Sequence, residues 1–164
     1  METKESKVYA VLEALNIPYE RYTHAPVATI AAIEALEMNL EVLHFKNLFL
    51  RNSKGDKHYL VLVDSSKKAN TKALAKQIGS TRLSFASDER LEAHLGLEPG
   101  AVSPMGLIND KNKEVEVLID QDLSLQEKVT LHPNINTVSI TMRYKDLEKF
   151  LRWCGNKVQF VEIP

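Results

Sequence analysis

One cysteine in 164 residues leaves nothing for a disulfide framework or a CxxC-type zinc site. Cys154 lies in an apolar C-terminal segment with no neighbour that would lower its pKa, and reads as a buried, inert thiol. The motifs of several common chemistries are missing too. There is no GxSxG elbow, no GxxxxGK(S/T) phosphate loop, no HExxH and no dinucleotide-binding glycine pattern. The five histidines (His24, His44, His58, His94 and His132) are not spaced to share a helix face, so no metal and no cofactor is expected. No serine or cysteine has a base beside it in a local motif, so a covalent nucleophile is not indicated. Long apolar runs are lacking as well: METKESKVYAVLEALN carries charges inside its apolar pattern, which fits neither a signal peptide nor a membrane span. A soluble, cytoplasmic protein is expected.

What is present is enough for one core. With 44% hydrophobic and 26% charged residues, the chain reads as a single domain over residues 1–164. A net charge of −1 argues against wholesale coating of nucleic acid, but the charge is unevenly spread. From Arg51 to Arg82 there are eight basic and two acidic residues; from Asp88 to Lys128 there are four basic and ten acidic. Such polarity suits a protein that meets a polyanion with one limited surface, and equally describes two solvated faces.

The apolar spacing gives an α/β protein with a mixed sheet and surrounding helices. Val8, Val11, Leu12 and Leu15 predict an opening helix that NIP (Asn16 to Pro18) stops. YERYTH is short and β-prone, and TIAAIEALEM returns to helical spacing. Asn47 to Asn52 and His58 to Asp64 predict two strands joined across SKGD, the second buried on both faces and therefore central. Helices are expected over NTKALAKQIG, capped by Asn70 and ended by Gly79, and over SDERLEAHLG, with Ser87 and Gly96 in those roles. EVEVLID, KVTLHP and TVSITM read as strands, YKDLEKFLRWCG as a helix and KVQFVEI as an edge strand.

Three stretches hold residues that a core does not need. Lys46-Asn47 opens the strand KNLFLRN, where a lysine can also simply snorkel at a sheet end. In LHPNINT, His132 and Asn136 bracket a proline turn, a place where histidine is most often a satisfied turn residue. LGLEPGAVSPMGLIND is a stiff, apolar loop with three glycines and two prolines, whose Gly100-Ala101-Val102-Ser103-Pro104 could present backbone amides to a carbonyl oxygen or a water.

HFKNLFLR, GLEPGAVSPMGLIND and LHPNINT, in that order, resemble the prolyl-tRNA synthetase-associated editing domains, and the resemblance runs from about Val8 to Ile163. With no synthetase core or anticodon-binding domain in the sequence, the chain is similar to a freestanding deacylase, one aminoacyl-tRNA editing domain from end to end. Within the family, the Lys46-Asn47 pair and His132 resemble the branch that clears alanine from tRNA(Pro), with the cysteine-clearing branch as the neighbouring alternative.

The resemblance implies roles. Lys46 matches the essential lysine near the ester and terminal adenosine, and Asn47 a residue that hydrogen-bonds the substrate. Gly100 and Pro104 match the GxxxP loop that orients the attacking water, and His132 a wall that limits pocket volume. Ala101, Ser103, Asn136, Thr29 and Ile30, with Tyr19 and Tyr22, are expected around the same pocket. The implied partners are the acceptor end of aminoacylated tRNA(Pro), whose phosphates the basic segment would meet, and prolyl-tRNA synthetase, with the chain itself a monomer. A non-catalytic adaptor and a small-molecule binder unrelated to tRNA are the readings from other classes.

Overall fold

A computed structural model of the chain describes residues 2–23 and 43–164. Helix α1 (Lys4–Ala14) begins at a capping box, in which Thr3 and Ser6 each satisfy the other's backbone N–H. It buries Val8 and Leu12, and the left-handed Asn16 (φ 57°) ends it ahead of strand β1 (Glu20–Thr23). The TIAAIEALEM helix expected from the sequence lies outside the described residues.

Strands β2 (Leu43–Arg51) and β3 (His58–Asp64) form an antiparallel hairpin. In its turn the Asn52 side-chain oxygen accepts the N–H groups of Gly55 and Lys57, and Gly55 takes the positive φ of 77° that closes the loop. Helix α2 (Thr71–Ile78) and helix α3 (Asp88–Leu95) begin and end at the residues predicted, Asn70 to Gly79 and Ser87 to Gly96. Between them lies β4 (Ser84–Phe85), a two-residue strand too short to leave a periodicity. Strands β5 (Val115–Asp120), β6 (Lys128–Leu131) and β7 (Val138–Arg143), helix α4 (Tyr144–Cys154) and strand β8 (Val158–Val161) complete the described chain.

The strands form one mixed sheet in the order β1-β7-β6-β2-β3-β5-β8, with β4 attached to β2. The β2–β6, β3–β5 and β5–β8 pairs are parallel and the rest antiparallel. As its continuous apolar run predicts, β3 is central and buried on both sides. Leu60 and Leu62 face the larger core with Phe45, Phe49, Val117 and Phe150; Tyr59, Val61 and Val63 face a smaller one with Leu74 and Ala75 of α2 and Leu83. Cys154 is buried in the larger core, where burial pushes its thiol up to about 12. Among the described residues no helix is long and apolar enough to cross a membrane.

Two sequence expectations change. Strand β2 begins at Leu43, so Lys46 and Asn47 lie well inside it and do not open it; the extra residues are held by β6, through Leu43–Val129 and His44–Thr130 pairing. The glycine-studded loop is a pair of 3₁₀ turns, Pro99–Ala101 and Pro104–Asn109. Pro104, Met105, Gly106 and Leu107 are buried, so the apolar composition makes this segment a wall of the core. Gly106 has no room for a side chain: an added Cβ would lie 2.6 Å from Leu97 Cδ1 and 3.1 Å from Leu95 Cβ.

Candidate active site

Strand β2 belongs to two ladders that separate. Its first two residues pair with β6 and its last two with β4, so along that edge the described structure places no strand against the residues between. Lys46 and Asn47 stand in this gap. Both are half-buried, and the two-residue period of a strand sends them to opposite faces.

Asn47 lies opposite Leu62 and shares the face of Phe45 and Phe49, the side on which Met105 and Leu107 of the second 3₁₀ turn pack. Its side-chain oxygen is buried and has no hydrogen-bond partner among the described residues. A buried acceptor left unpaired costs about 1–3 kcal/mol, which a donor on a bound molecule would recover. Lys46 lies opposite Val63 on the α2 side, and its ammonium donates to the main-chain carbonyl of Lys67. Carrying the β2–β6 register two residues beyond His44–Thr130 sets His132 level with Lys46.

The turn from His132 to Asn136 meets the glycine-proline segment directly. His132 Nδ1 lies 2.8 Å from the Val138 carbonyl, so this nitrogen carries the hydrogen and a neutral ring has its acceptor at Nε2. Asn134, in the left-handed region at φ 67°, donates from Nδ2 to the Met105 carbonyl at 3.3 Å. A Cβ built on Gly100 would lie 3.0 Å from Asn136 Nδ2, so Gly100 is what lets the two segments close up. Ala101 and Ser103 are buried and shape the segment: the Ala101 N–H is taken by the Glu98 carbonyl, and Ser103 Oγ accepts the Met105 N–H at 3.2 Å. The Ala101 amide is therefore committed within the turn.

Of the other residues expected here, Thr29 and Ile30 lie outside the described residues. Tyr19 stacks on Tyr9 of α1, with centroids 5.1 Å apart, and Tyr22 sits on β1, separated from β2 in the sheet by β7 and β6. The sequence reading missed one cluster altogether. Lys67, counted there with the solvent-facing basic segment, bonds Asp120 at 3.0 Å and Asp122 at 2.7 Å. Burial alone would lower the Lys67 pKa, but its bonds to Asp122 and Asp120 hold it above the usual lysine value. Asp120 is completely buried, and its position at the end of the apolar run VEVLI was the available signal. Lys72, Lys76 and Arg82 do keep an open face: with Thr71, Ser80, Ala75 and Leu83 they line a cleft of about 660 Å³, on the α2 side of the sheet to which Lys46 points.

At the opposite end of β3, His58 is buried with its ring 4.0 Å from that of His94, and Arg90 Nη1 donates to its Nε2 at 3.1 Å. Burial first, then the charges of His94, Arg90 and Arg51, depress its pKa to about 4, against an opposing pull from Asp110. The unfolded chain, with a histidine pKa near ~6.5, therefore binds the extra proton between those values. The contribution is whole above about pH 6.5, falls as pH drops and is gone below about pH 4. Urea unfolding at pH 7 and pH 4.5 is expected to show this decline in wild type and a shallower one in His58→Gln.

Comparisons with known proteins identify the family. The profile of the aminoacyl-tRNA editing domain matches residues 24–150. The chain is 43% identical, over 99% of both sequences, to the prolyl-tRNA editing protein ProX of Acetoanaerobium sticklandii. It is 30% identical to the prolyl-tRNA synthetase associated domain-containing protein 1 of Bos taurus, covering 88% of this chain and 86% of that one. A crystal structure of a protein provisionally assigned as a trans-editing enzyme for prolyl tRNA synthetase superposes with a TM-score of 0.73 at 19% identity, covering 100% of this chain and 99% of that one, a likeness of fold. By the extent of the profile match and the full-length likeness to its relatives, the chain belongs to the aminoacyl-tRNA editing domain family.

Proposed function

We propose that the chain is a trans-editing deacylase that hydrolyses the ester joining a small amino acid, alanine foremost, to tRNA(Pro). The observation that carries this reading is the buried, unpaired Asn47 oxygen in the β2 gap, on the face where Met105 and Leu107 of the glycine-proline segment pack, with the Lys46 ammonium on the other face of the same strand. The relatives named for prolyl-tRNA editing and for the synthetase-associated domain supply the tRNA.

An aminoacyl ester is already activated, so positioning a water and stabilising the oxyanion suffices without a covalent nucleophile. Water adds to the ester carbonyl; the tetrahedral intermediate collapses, the bond to the ribose oxygen breaks, and that oxygen takes up a proton to leave free amino acid and uncharged tRNA. Lys46 supplies the cation for the developing oxyanion or the neighbouring phosphate, Asn47 accepts a hydrogen bond from the aminoacyl group, and the segment from Gly100 to Pro104 holds the water. The neighbouring ribose hydroxyl assists, as the family resemblance implies. His132 bounds the side-chain space, so proline is rejected by size while alanine enters. Lys72, Lys76 and Arg82 meet acceptor-stem phosphates, contacts that position a nucleic acid without reading its sequence.

The test is release of labelled amino acid from tRNA(Pro) charged separately with alanine, cysteine and proline, under multiple turnover. Loss of alanine with proline retained is the expected result. Loss of cysteine instead would move the specificity to the neighbouring branch, and no release from any substrate would leave a non-catalytic tRNA adaptor.

A further inference from the structure

The cation of the proposed site is aimed by a neutral group, and that group is fastened from a distance. Lys46 Nζ donates to the carbonyl of Lys67, in the turn that follows β3. The turn is gripped at both ends by one carboxylate. Asp120 Oδ2 accepts the Asp64 N–H at 3.1 Å, and Oδ1 takes the Lys67 ammonium at 3.0 Å together with the Asp122 N–H at 3.1 Å. Within the turn, Asp64 Oδ1 accepts the N–H and hydroxyl of Ser66 at 2.9 and 2.7 Å, and the Lys67 N–H returns to the Asp64 carbonyl at 3.0 Å. The parallel β3–β5 register, Leu62 beside Ile119, places Asp120 next to Val63 and hence on the same face as Lys46.

Fastening the turn does not by itself call for this chemistry. Completely burying a carboxylate is expensive, and a well-packed apolar residue often does as well or better for stability. A carboxylate in direct contact with Lys46 would hold its ammonium in a salt bridge and offset the charge that an oxyanion or phosphate needs. A carbonyl accepts one of the three ammonium hydrogens, fixes its direction and leaves the full charge and two hydrogens for the ligand. The Asp120 and Asp122 carboxylates stand one step back, paired with Lys67, and the Asp64 carboxylate, which feels the charge of Lys46, is held by the N–H and hydroxyl of Ser66.

We infer that Asp120 and Lys67 are positioning residues for Lys46, holding the Lys67 carbonyl where it aims the ammonium at the scissile ester. The part played by the ester rests on the deacylase reading above; the control of the ammonium's surroundings by the clamp does not, and the two are tested separately.

The variants are Lys67→Met, which removes the clamp's cation, and Lys67→Arg, which retains one. Asp120→Asn is added as a near-isosteric change of the buried partner. The ammonium of Lys46 is followed by ¹⁵Nζ NMR, assigned through its absence in Lys46→Ala, and alanine release is measured in parallel. Lys67→Met is expected to shift the Lys46 signal and speed its hydrogen exchange, and to lower kcat at least tenfold with KM changed less than threefold; Lys67→Arg restores most of both. A fall in Tm with the Lys46 signal and kcat unchanged would overturn the proposal and reduce the cluster to a fastening of the turn. If Asp120→Asn does not fold, Lys67→Met, altering a side chain at the edge of the cluster, decides alone. If wild type releases no amino acid, the deacylase reading fails, and the NMR comparison still upholds or overturns the clamp.

Discussion

Lys46→Ala is expected to lower the rate of alanine release from tRNA(Pro) by about 10²–10³, the loss seen when one preorganised donor to an oxyanion is removed. The fold should survive, because Lys46 is half-buried at an unpaired stretch of strand edge and its ammonium serves a turn that Asp120 also secures. Steady-state kinetics divides the two duties proposed for the cation. If Lys46 meets the oxyanion, kcat falls and KM stays nearly constant; if it meets a phosphate of the terminal nucleotide equally in ground and transition states, KM rises and kcat holds. A variant with unaltered release would remove Lys46 from the mechanism.

The second large effect is expected at Gly100. Its backbone does not have a positive φ, so a side chain there is excluded by space and not by backbone strain. A Cβ already comes to 3.0 Å from Asn136 Nδ2, a contact that a few tenths of an ångström in the amide can relieve. Gly100→Ala should therefore lose less than about tenfold in release. Gly100→Leu carries three further carbons into the same junction and must push the Pro99–Ala101 turn away from the His132–Asn136 turn, with roughly 1–3 kcal/mol of overpacking. Its release is expected to fall at least a hundredfold with the chain still folded at 25 °C, read by alanine release alongside urea unfolding. Intact release by Gly100→Leu would mean that the closeness of the two turns has no part in holding the water.

Local signals were legible and long-range ones were not. The helices from Thr71 and Asp88 could be placed with their caps because each is set by residues adjacent in the chain. The central position of β3 followed from a run of apolar residues that only a strand covered on both faces tolerates. The start of β2 was misjudged because Leu43 and His44 are held by β6, a partner that adjacent residues cannot reveal. Lys46 and Asn47 looked like a pair because they adjoin in sequence, and the alternation of the strand sets them on different faces. The composition of the segment from Leu95 to Asp110 reads as a stiff loop that presents backbone amides, whereas much of its apolar character belongs to the core wall, with Gly106 pressed against Leu97. Charge counting placed Lys67 with the solvent-facing lysines, since nothing along the chain brings it to Asp120 and Asp122.

The parallel ladder between β2 and β6 has a consequence for the order in which the molecule matures. Lys46 belongs to the first third of the chain, but the turn that faces it is fixed only when β7 has paired with β6 and the Val138 carbonyl has met His132. The β2–β6 pairing that brings this turn level with Lys46 joins residues far apart in the chain, a separation that adds loop-closure entropy and slows folding. On a ribosome, the hairpin of β2 and β3 can emerge and pair while the wall of the pocket is still untranslated. A nascent chain thus has the cation before it has the enclosure, and on the deacylase reading it would gain selectivity and reactivity together, once the segment through Val138 has been made.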